Sequence, residues 1–306
     1  MSSVRRFFDR STCRSAHSNE NRRARVGSVA NQARRSGSNV VAALVSRLQA
    51  AVVVGSTGAV MSITFRGGFA SVPNPIAVRY AVRPASVSVM RITHLGHSCL
   101  FVELADRRIL IDPGGFSSGF EDLTDLDAIL VTHQHADHLD QKRLPALVRA
   151  NPGAAVHADP MSAALLVEAG LAVGVLAQGA DLHLGDVRVR PVGALHAFNH
   201  QWIPTVANVG VRLDAAGEPS LFHPGDAYDG EPGDIDVLAV PINAPWCAVR
   251  DSIDFVRRLA PRSMVPIHDG LVAPPGRALY LTHIATNGGD DLTLHDLAGR
   301  GAVSIP

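Results

Sequence analysis

The sequence predicts a layered α/β domain over residues 90–306, preceded by a separate basic extension over residues 1–89. Three observations predict it. Charge is split along the chain: residues 1–89 hold 13 Arg against only Asp9 and Glu20, while the remainder is acidic by a similar margin. Downstream of Met90, short apolar runs of strand character fall into two groups, with amphipathic helical segments between and outside them. Several of those runs end in histidine or aspartate, most densely in "ILVTHQHADHLD", Ile129 to Asp140.

With 46% hydrophobic and 18% charged residues, the 306-residue chain has a globular composition. Its three cysteines, Cys13, Cys99 and Cys247, are far apart and make no disulfide framework, so a reducing, cytoplasmic location is expected. Residues 1–38 are rich in Arg and Ser, lack apolar periodicity and are expected to be disordered, with the composition of a transit peptide as an alternative. The apolar stretch that follows is broken by Arg47, Gln49 and two glycines, and its uninterrupted part, residues 50–65, is short for a membrane span. Residues 1–89 therefore read as an extension, or as a start assigned upstream of Met90.

The elements of the domain follow in order. "RITHLG", "CLFVEL" and "RILIDP" are short strands joined by tight turns. "LDAILVTH" is a buried strand that runs into the histidine cluster. "DQKRLPALVRA" is an amphipathic helix interrupted by Pro145, "AAVHAD" a strand, and "MSAALLVEAG" a helix ended by Gly170. "VRVRPVGALH", "NVGVRLD", "PSLFHPGD" and "DIDVLAVPI" are further strands. "RDSIDFVRRLAP" places Ile253, Val256 and Leu259 on one helical side, and "SMVPIHDG" is a last strand-to-loop step.

His133 and His135 are two residues apart, so in an extended segment they project to the same side. Asp137 and His138 follow on a turn. Nitrogen and oxygen donors gathered at the end of a buried strand suit Zn²⁺ or a similar borderline cation. A solvated, tag-like histidine tract would lack the embedded Asp137 and the apolar lead-in.

The pattern Thr-His-x-His-x-Asp-His resembles the signature of the metallo-β-lactamase superfamily of hydrolases. Later steps fit the same resemblance in order: "GALHAFNH" offers His196, "SLFHPGDAY" offers Asp226 and "MVPIHDG" offers His268. "ILIDPG" matches an early motif whose aspartate, here Asp112, supports the site from behind. The resemblance implies a four-layer αββα sandwich with two divalent cations, Zn²⁺ first, Mn²⁺ or Fe²⁺ otherwise. It implies one cation on His133, His135 and His196, another on Asp137, His138 and His268, and Asp226 bridging them. Such a pair, about 3.5–4 Å apart, activates a shared hydroxide for attack on a carbonyl or phosphoryl centre. Asp137 is implied as the catalytic carboxylate that orients the nucleophile or takes its proton.

The "LGHS" opening is similar to that of the compact subgroup of ascorbate-6-phosphate lactonase-like proteins, and it marks His97 as a supporting or substrate-contacting residue. His200 in "FNHQW" is a second such candidate, whereas Asp269-Gly270 departs from the aromatic often found after the last histidine. His94, His157, His183 and His223 are expected to be packed or solvent-facing strand residues. Trp202 and Trp246 are expected as pocket lining or core cover, and Cys247 as a small buried side chain.

Three function classes follow. The first is a metal-dependent hydrolase of a small ester, lactone or phosphoester. The second is a non-catalytic metal-containing sensor on the same ligands. The third is a membrane-tethered or nucleic-acid-binding protein acting through the extension. The acidic metal domain disfavours nucleic acid. The expected partner is a small-molecule substrate, with neither nucleic acid nor membrane, and a homo-oligomer is left open.

Overall fold

The structure, a computed structural model, describes residues 48–55, 58–65 and 89–306. The chain divides into two units, residues 1–84 and 85–306. In the first, β1 (Leu48–Gly55) pairs antiparallel with β2 (Gly58–Phe65), Leu48 opposite Phe65 and Gly55 opposite Gly58. The expectations for the rest of residues 1–88, disorder and a transit-type composition included, lie outside the described residues.

In the second unit, β3 (Arg91–His94), β4 (Leu100–Leu104), β5 (Arg107–Ile111), β6 (Ala128–Val131), β7 (Ala155–Ala158) and β8 (Gly174–Val175) form one sheet in sequence order. The other contains β9 (Leu182–Leu184), β10 (Val187–Val192), β11 (Gly210–Asp214), β12 (Leu221–His223), β13 (Val237–Pro241), β14 (Ser263–Ile267) and β15 (Thr293–Leu294). The last strand, β16 (Val303–Ser304), returns to the first sheet and pairs antiparallel with β3. Helices α1 (Leu144–Ala150) and α2 (Pro160–Glu168) interrupt the first group of strands; α3 (Val249–Leu259) and α4 (Pro274–Asn287) interrupt the second.

Side-chain alternation along the strands builds the layers. Ile92, Val102, Ile109 and Leu130 of the first sheet share one buried cluster with Val189, Val211, Leu221, Ala239 and Val265 of the second, so the sheets pack face to face. Neighbouring residues point the other way: Leu110, Ile129 and Val131 meet Leu144, Leu147, Ala163 and Leu166 of α1 and α2. Leu238, Val240 and Met264 likewise meet Phe255, Val256, Leu281 and Ile284 of α3 and α4. The order is helix, sheet, sheet, helix, the four layers expected. Strands covered on both faces read as continuous apolar runs, as "AILV" and "VLAVP" do.

Two local readings change. Pro145 does not interrupt a helix; it lies in the first turn of α1, where its missing N–H needs no intrahelical partner. Helix α4 was not among the expected elements; Pro274 and Pro275 sit at its first positions, where a missing N–H needs no intrahelical partner. Helix α2 starts as its sequence indicates: the Asp159 carboxylate accepts from the backbone N–H groups of Met161 and Ser162, and Gly170 lies beyond its end at φ +86°.

Strand direction places the site. β5, β6 and β7 run parallel, as do β12, β13 and β14. β3 lies antiparallel to β4, which lies antiparallel to β5, so β3 points the same way as β5; by the same count β10 points the same way as β12. The carboxyl ends of β3, β5 and β6 therefore share one edge of the first sheet, and those of β10, β12 and β14 share one edge of the second. Every predicted site residue follows one of these six strand ends.

Candidate metal centre

Two groups of donor atoms converge there, each within 4.8 Å: His133, His135, His196 and Asp226, and His97, Asp137, His138 and His268. All seven predicted ligands are brought together, with His97 as an eighth member. The Asp226 carboxylate joins the groups. Its Oδ2 lies 3.3 Å from His196 Nε2, 3.2 Å from His268 Nε2 and 3.9 Å from His133 Nε2, and its Oδ1 lies 3.0 Å from His138 Nε2.

The backbone around the site is built for this approach. Asp112, wholly buried after β5, takes φ +50°, and His97 and His268 take φ +51° and +59°. Left-handed backbone is uncommon for residues with a side chain, and three of the seven such residues among those described lie at the site. Gly225 also lies in this region at φ +61°, and a Cβ there would come within 2.2 Å of Asn208 Oδ1, which accepts from the Asp226 N–H. Gly114 lets the "HADH" turn pack down: a Cβ would stand 1.7 Å from the Asp137 carbonyl oxygen. Gly114→Ala is therefore expected to lower the unfolding free energy by about 1–3 kcal/mol or more and to reduce metal content. Urea denaturation with elemental analysis of the folded protein checks both.

Hydrogen bonds fix which ring nitrogen faces the centre. Asp112 Oδ1 accepts from Thr132 N at 2.8 Å; its Oδ2 accepts from Thr132 Oγ1 and from His138 Nδ1, both at 2.7 Å. Thr132 Oγ1, its proton given to Asp112, accepts from His133 Nδ1 at 3.2 Å. His196 Nδ1 donates to the Ala197 carbonyl and His268 Nδ1 to the Asn243 carbonyl, each at 2.6 Å. Four imidazoles thus spend their Nδ1–H on fixed acceptors and turn Nε2 inward. His133 Nε2, His196 Nε2 and Asp226 Oδ1 are buried with no hydrogen-bond partner. Lone pairs of imidazole and carboxylate pointed at one another repel unless a cation lies among them. This donor set fits divalent metal ions.

His97 is arranged differently. Its Nδ1 accepts from Gly270 N at 3.1 Å, so the proton is on Nε2, which donates to Asp137 Oδ2 at 3.1 Å. His97 orients Asp137 and presents no lone pair to the centre. His94 donates in turn to the His97 carbonyl at 2.8 Å. Asp137 Oδ2 also lies 3.5 Å from His268 Nε2, and its side chain is partly open to solvent.

Electrostatics follow from burial and these neighbours. Burial and the adjacent rings hold the His133 imidazole well below its usual range, and burial lowers His97 and His135. Burial would lower His138 too, but the carboxylates of Asp226 and Asp112 push it well up. Burial would raise the Asp137 carboxyl, yet the hydrogen bond from His97 and the charge of His138 hold it well below the usual carboxylate range. Asp226 is depressed in the same way, chiefly by His138.

The other candidates lie elsewhere. His200 is exposed on the 197–205 loop, its ring 5.0 Å from that of Trp202, and is not among the gathered donors. His223 is a buried strand residue that donates to the Ser98 carbonyl at 2.9 Å and accepts from Gly225 N, as expected of a non-ligand. His183 is solvent-facing. Trp246 does more than cover the site: its Nε1–H donates to Asp226 Oδ2 at 3.0 Å. That contact and the role of Asn208 had no sequence signal, because they depend on which loops meet at the edge; Thr132 stood in the quoted motif, but its bond to Asp112 was not read from it.

Comparison with known proteins agrees with this fold. A family model described as "Beta-lactamase superfamily domain" matches residues 91–268. Protein Rv0786c of Mycobacterium tuberculosis is 46% identical over 201 residues, covering 64% of this chain and 93% of that protein. A "UPF0173 metal-dependent hydrolase" of Pyrococcus furiosus is 30% identical over 199 residues, covering 59% of this chain and 84% of the relative. Among solved structures, the metallo hydrolase Igni18 from Ignicoccus hospitalis superposes with a TM-score of 0.57 at 18% identity, covering 72% of this chain and 99% of its own. CmlA, a diiron beta-hydroxylase from Streptomyces venezuelae, superposes with a TM-score of 0.52 at 18% identity, covering 71% and 54%. The two structural likenesses are of fold alone.

Proposed function

The chain belongs to the beta-lactamase superfamily and is a metal-dependent hydrolase, and on that premise we propose that it uses two divalent cations to cleave a small ester, lactone or phosphoester. One cation is assigned to His133, His135 and His196, the other to Asp137, His138 and His268, with Asp226 shared between them. The observation that carries the assignment is the set of four rings with Nδ1 committed to fixed acceptors and Nε2 turned on one carboxylate. Zn²⁺ is the first expectation, although mixed imidazole and carboxylate donors also suit Mn²⁺ and Fe²⁺, and CmlA, of the same fold, is a diiron enzyme.

When bound, such cations supply Lewis acidity and bring the pKa of a bound water towards neutrality. The protein's part is to hold and orient. Asp137, aimed by His97 and partly open to the cleft, is the carboxylate placed to take a proton from an attacking water at Oδ2. Asp112 and the carbonyls of Ala197 and Asn243 keep the ligand rings from rotating. The "LGHS" opening, now seen to place His97 against Asp137, supports kinship with the ascorbate-6-phosphate lactonase-like subgroup. A cytoplasmic location is supported by the two free cysteines of the domain, Cys99 and Cys247. Among the described residues no helix is long and apolar enough to cross a membrane.

The test is metal analysis of the full chain, followed by a panel of esters, lactones and phosphoesters. Two metal ions per chain and turnover of at least one class are expected, with Asp137→Asn lowering kcat by about 10²–10⁴. A chain that carries both ions, turns over nothing and binds a small molecule tightly would be a sensor instead.

A further inference from the structure

The loops that carry the ligands share a composition. Residues 95–99, 113–119, 193–206, 226–233, 242–248 and 268–276 contain neither Lys nor Arg. Of the ligand-bearing loops only 133–143 has basic side chains. One is Lys142, four residues beyond His138; the other, Arg143, is engaged by Asp140, Glu121 and the carbonyls of Gly114 and Ser117. Arg277, just past the last loop, is committed to Asp269 and, through both terminal nitrogens, to Asp296. The ion pairs of Asp137 and Asp226 are all with histidine. A site that recognises a phosphate group ordinarily meets it with Arg or Lys, in bidentate or point-charge fashion. These loops offer little of that kind.

What they offer is apolar surface. Six of the eleven large hydrophobic side chains exposed among the described residues lie on them: Phe116, Leu195, Phe198, Trp202, Ile203 and Leu271. Trp202 is 83% exposed and Phe198 69%. The 197–205 loop is pinned to the centre at its base, where His196 N donates to the Val206 carbonyl at 3.0 Å and Ala197 N to the Asp226 carbonyl at 2.8 Å. On the other side, the Phe116 ring meets His97 edge-on with centroids 5.2 Å apart, and Leu271 stands three residues past His268. Solvent-exposed aromatic and aliphatic side chains beside a polar cleft mark a surface that a ligand covers.

We infer that the substrate is uncharged and carries an apolar arm, such as an acyl or alkyl chain or an aryl group, which lies on the rim formed by Phe198, Trp202 and Ile203 while its ester or lactone carbonyl meets the centre. This rests on the hydrolase reading above and narrows it away from phosphoesters.

The experiment uses the full chain loaded with Zn²⁺ and p-nitrophenyl esters from acetate to decanoate, with p-nitrophenyl phosphate and bis(p-nitrophenyl) phosphate alongside. kcat/KM is expected to rise about two- to fourfold per methylene over the middle of the series, as burial of a CH₂ group predicts. The phosphoesters are expected to be the poorer substrates. Phe198→Ser and Trp202→Ser together are expected to flatten the chain-length slope; both positions are exposed, so folding is not at stake. A readout independent of turnover is Trp202 emission. Octanohydroxamate is expected to shift it to the blue and acetohydroxamate not, with the shift lost in Trp202→Phe.

Ester turnover with no chain-length dependence, or a preference for phosphoesters, overturns the apolar arm and leaves the hydrolase reading intact. Absence of all turnover from metal-loaded protein sinks the hydrolase reading; the hydroxamate titration then decides the rim alone, and equal response to both lengths overturns it. A dimer by sedimentation that the double variant dissociates, with its chain-length slope unchanged, shows that the rim is a contact between copies, and also overturns it.

Discussion

Stripping divalent cations from the purified chain is expected to abolish hydrolysis and to lower its unfolding midpoint in the same step. The reason lies in how the site is held. Four imidazoles are locked through Nδ1, so their Nε2 lone pairs cannot turn away from the Asp226 carboxylate. Without cations His138, pushed up by Asp226 and Asp112, can take a proton, but His133 is held well down by burial, and buried acceptors are left facing acceptors. A site that binds only in the folded state contributes about 2.7 kcal/mol when the free ion stands at a hundred times its Kd. For a unit of this size, residues 85–306, that corresponds to a midpoint change of roughly 5–10 °C per site. Scanning calorimetry before and after chelation, with elemental analysis, measures it. Re-addition of Zn²⁺, Mn²⁺ and Fe²⁺ in turn then ranks the metals by recovered activity. A chain shown to be free of metal that melts unchanged and still hydrolyses would contradict both the ligand assignment and the cation requirement.

The sequence made the ligands visible and left most of their supports hidden, for a physical reason. Imidazole and carboxylate donors come from few residue types, so the candidate ligands advertise themselves by residue type. Because they sit where apolar strands end, the fold advertises them a second time. Supports are less constrained. The acceptors for His196 and His268 are backbone carbonyls of Ala197 and Asn243, which any residue could supply. Asp112 was legible only through resemblance, since its function depends on Thr132 and His138 arriving from the neighbouring strand. The role of His97 turned on a proton position, set by a backbone N–H from Gly270, 173 residues away. Helix α3 was readable from its amphipathic period, whereas helix α4, which mixes polar and apolar residues around its circumference, was not among the expected elements. A layered α/β domain was legible because the strands fall into two groups with helices between and outside them, while the order of four layers came through the resemblance; runs such as "AILV" and "VLAVP" fit that order because both their faces are covered.

Asp112→Ala is expected to be among the most damaging single substitutions in the chain, although Asp112 belongs to neither gathered donor group. One carboxylate serves three buried donors: Thr132 N, Thr132 Oγ1 and His138 Nδ1. Removing it orphans all three, and each buried donor left without a partner costs about 1–3 kcal/mol. Partial relaxation and entry of water reduce the sum, so a loss of roughly 3–5 kcal/mol is expected. The left-handed backbone at φ +50° adds to it, since alanine tolerates that region less well than aspartate or asparagine.

Asp112→Asn separates support of the fold from support of the metal. Asparagine accepts the left-handed backbone, and its carbonyl oxygen still accepts from Thr132 N. Its NH₂ then faces His138 Nδ1, a pairing that works only if that nitrogen becomes the acceptor and the ring proton moves to Nε2. The lone pair that would hold the cation is then lost. Because Oδ2 also accepts from Thr132 Oγ1, whose proton then loses its acceptor, a stability loss of about 1–3 kcal/mol, smaller than that of Asp112→Ala, with metal affinity reduced about 10–100-fold, is the expected outcome. Urea denaturation and competitive metal titration on the two variants measure the halves separately. Wild-type affinity in Asp112→Asn would show that the tautomer of His138 is set by something other than Asp112.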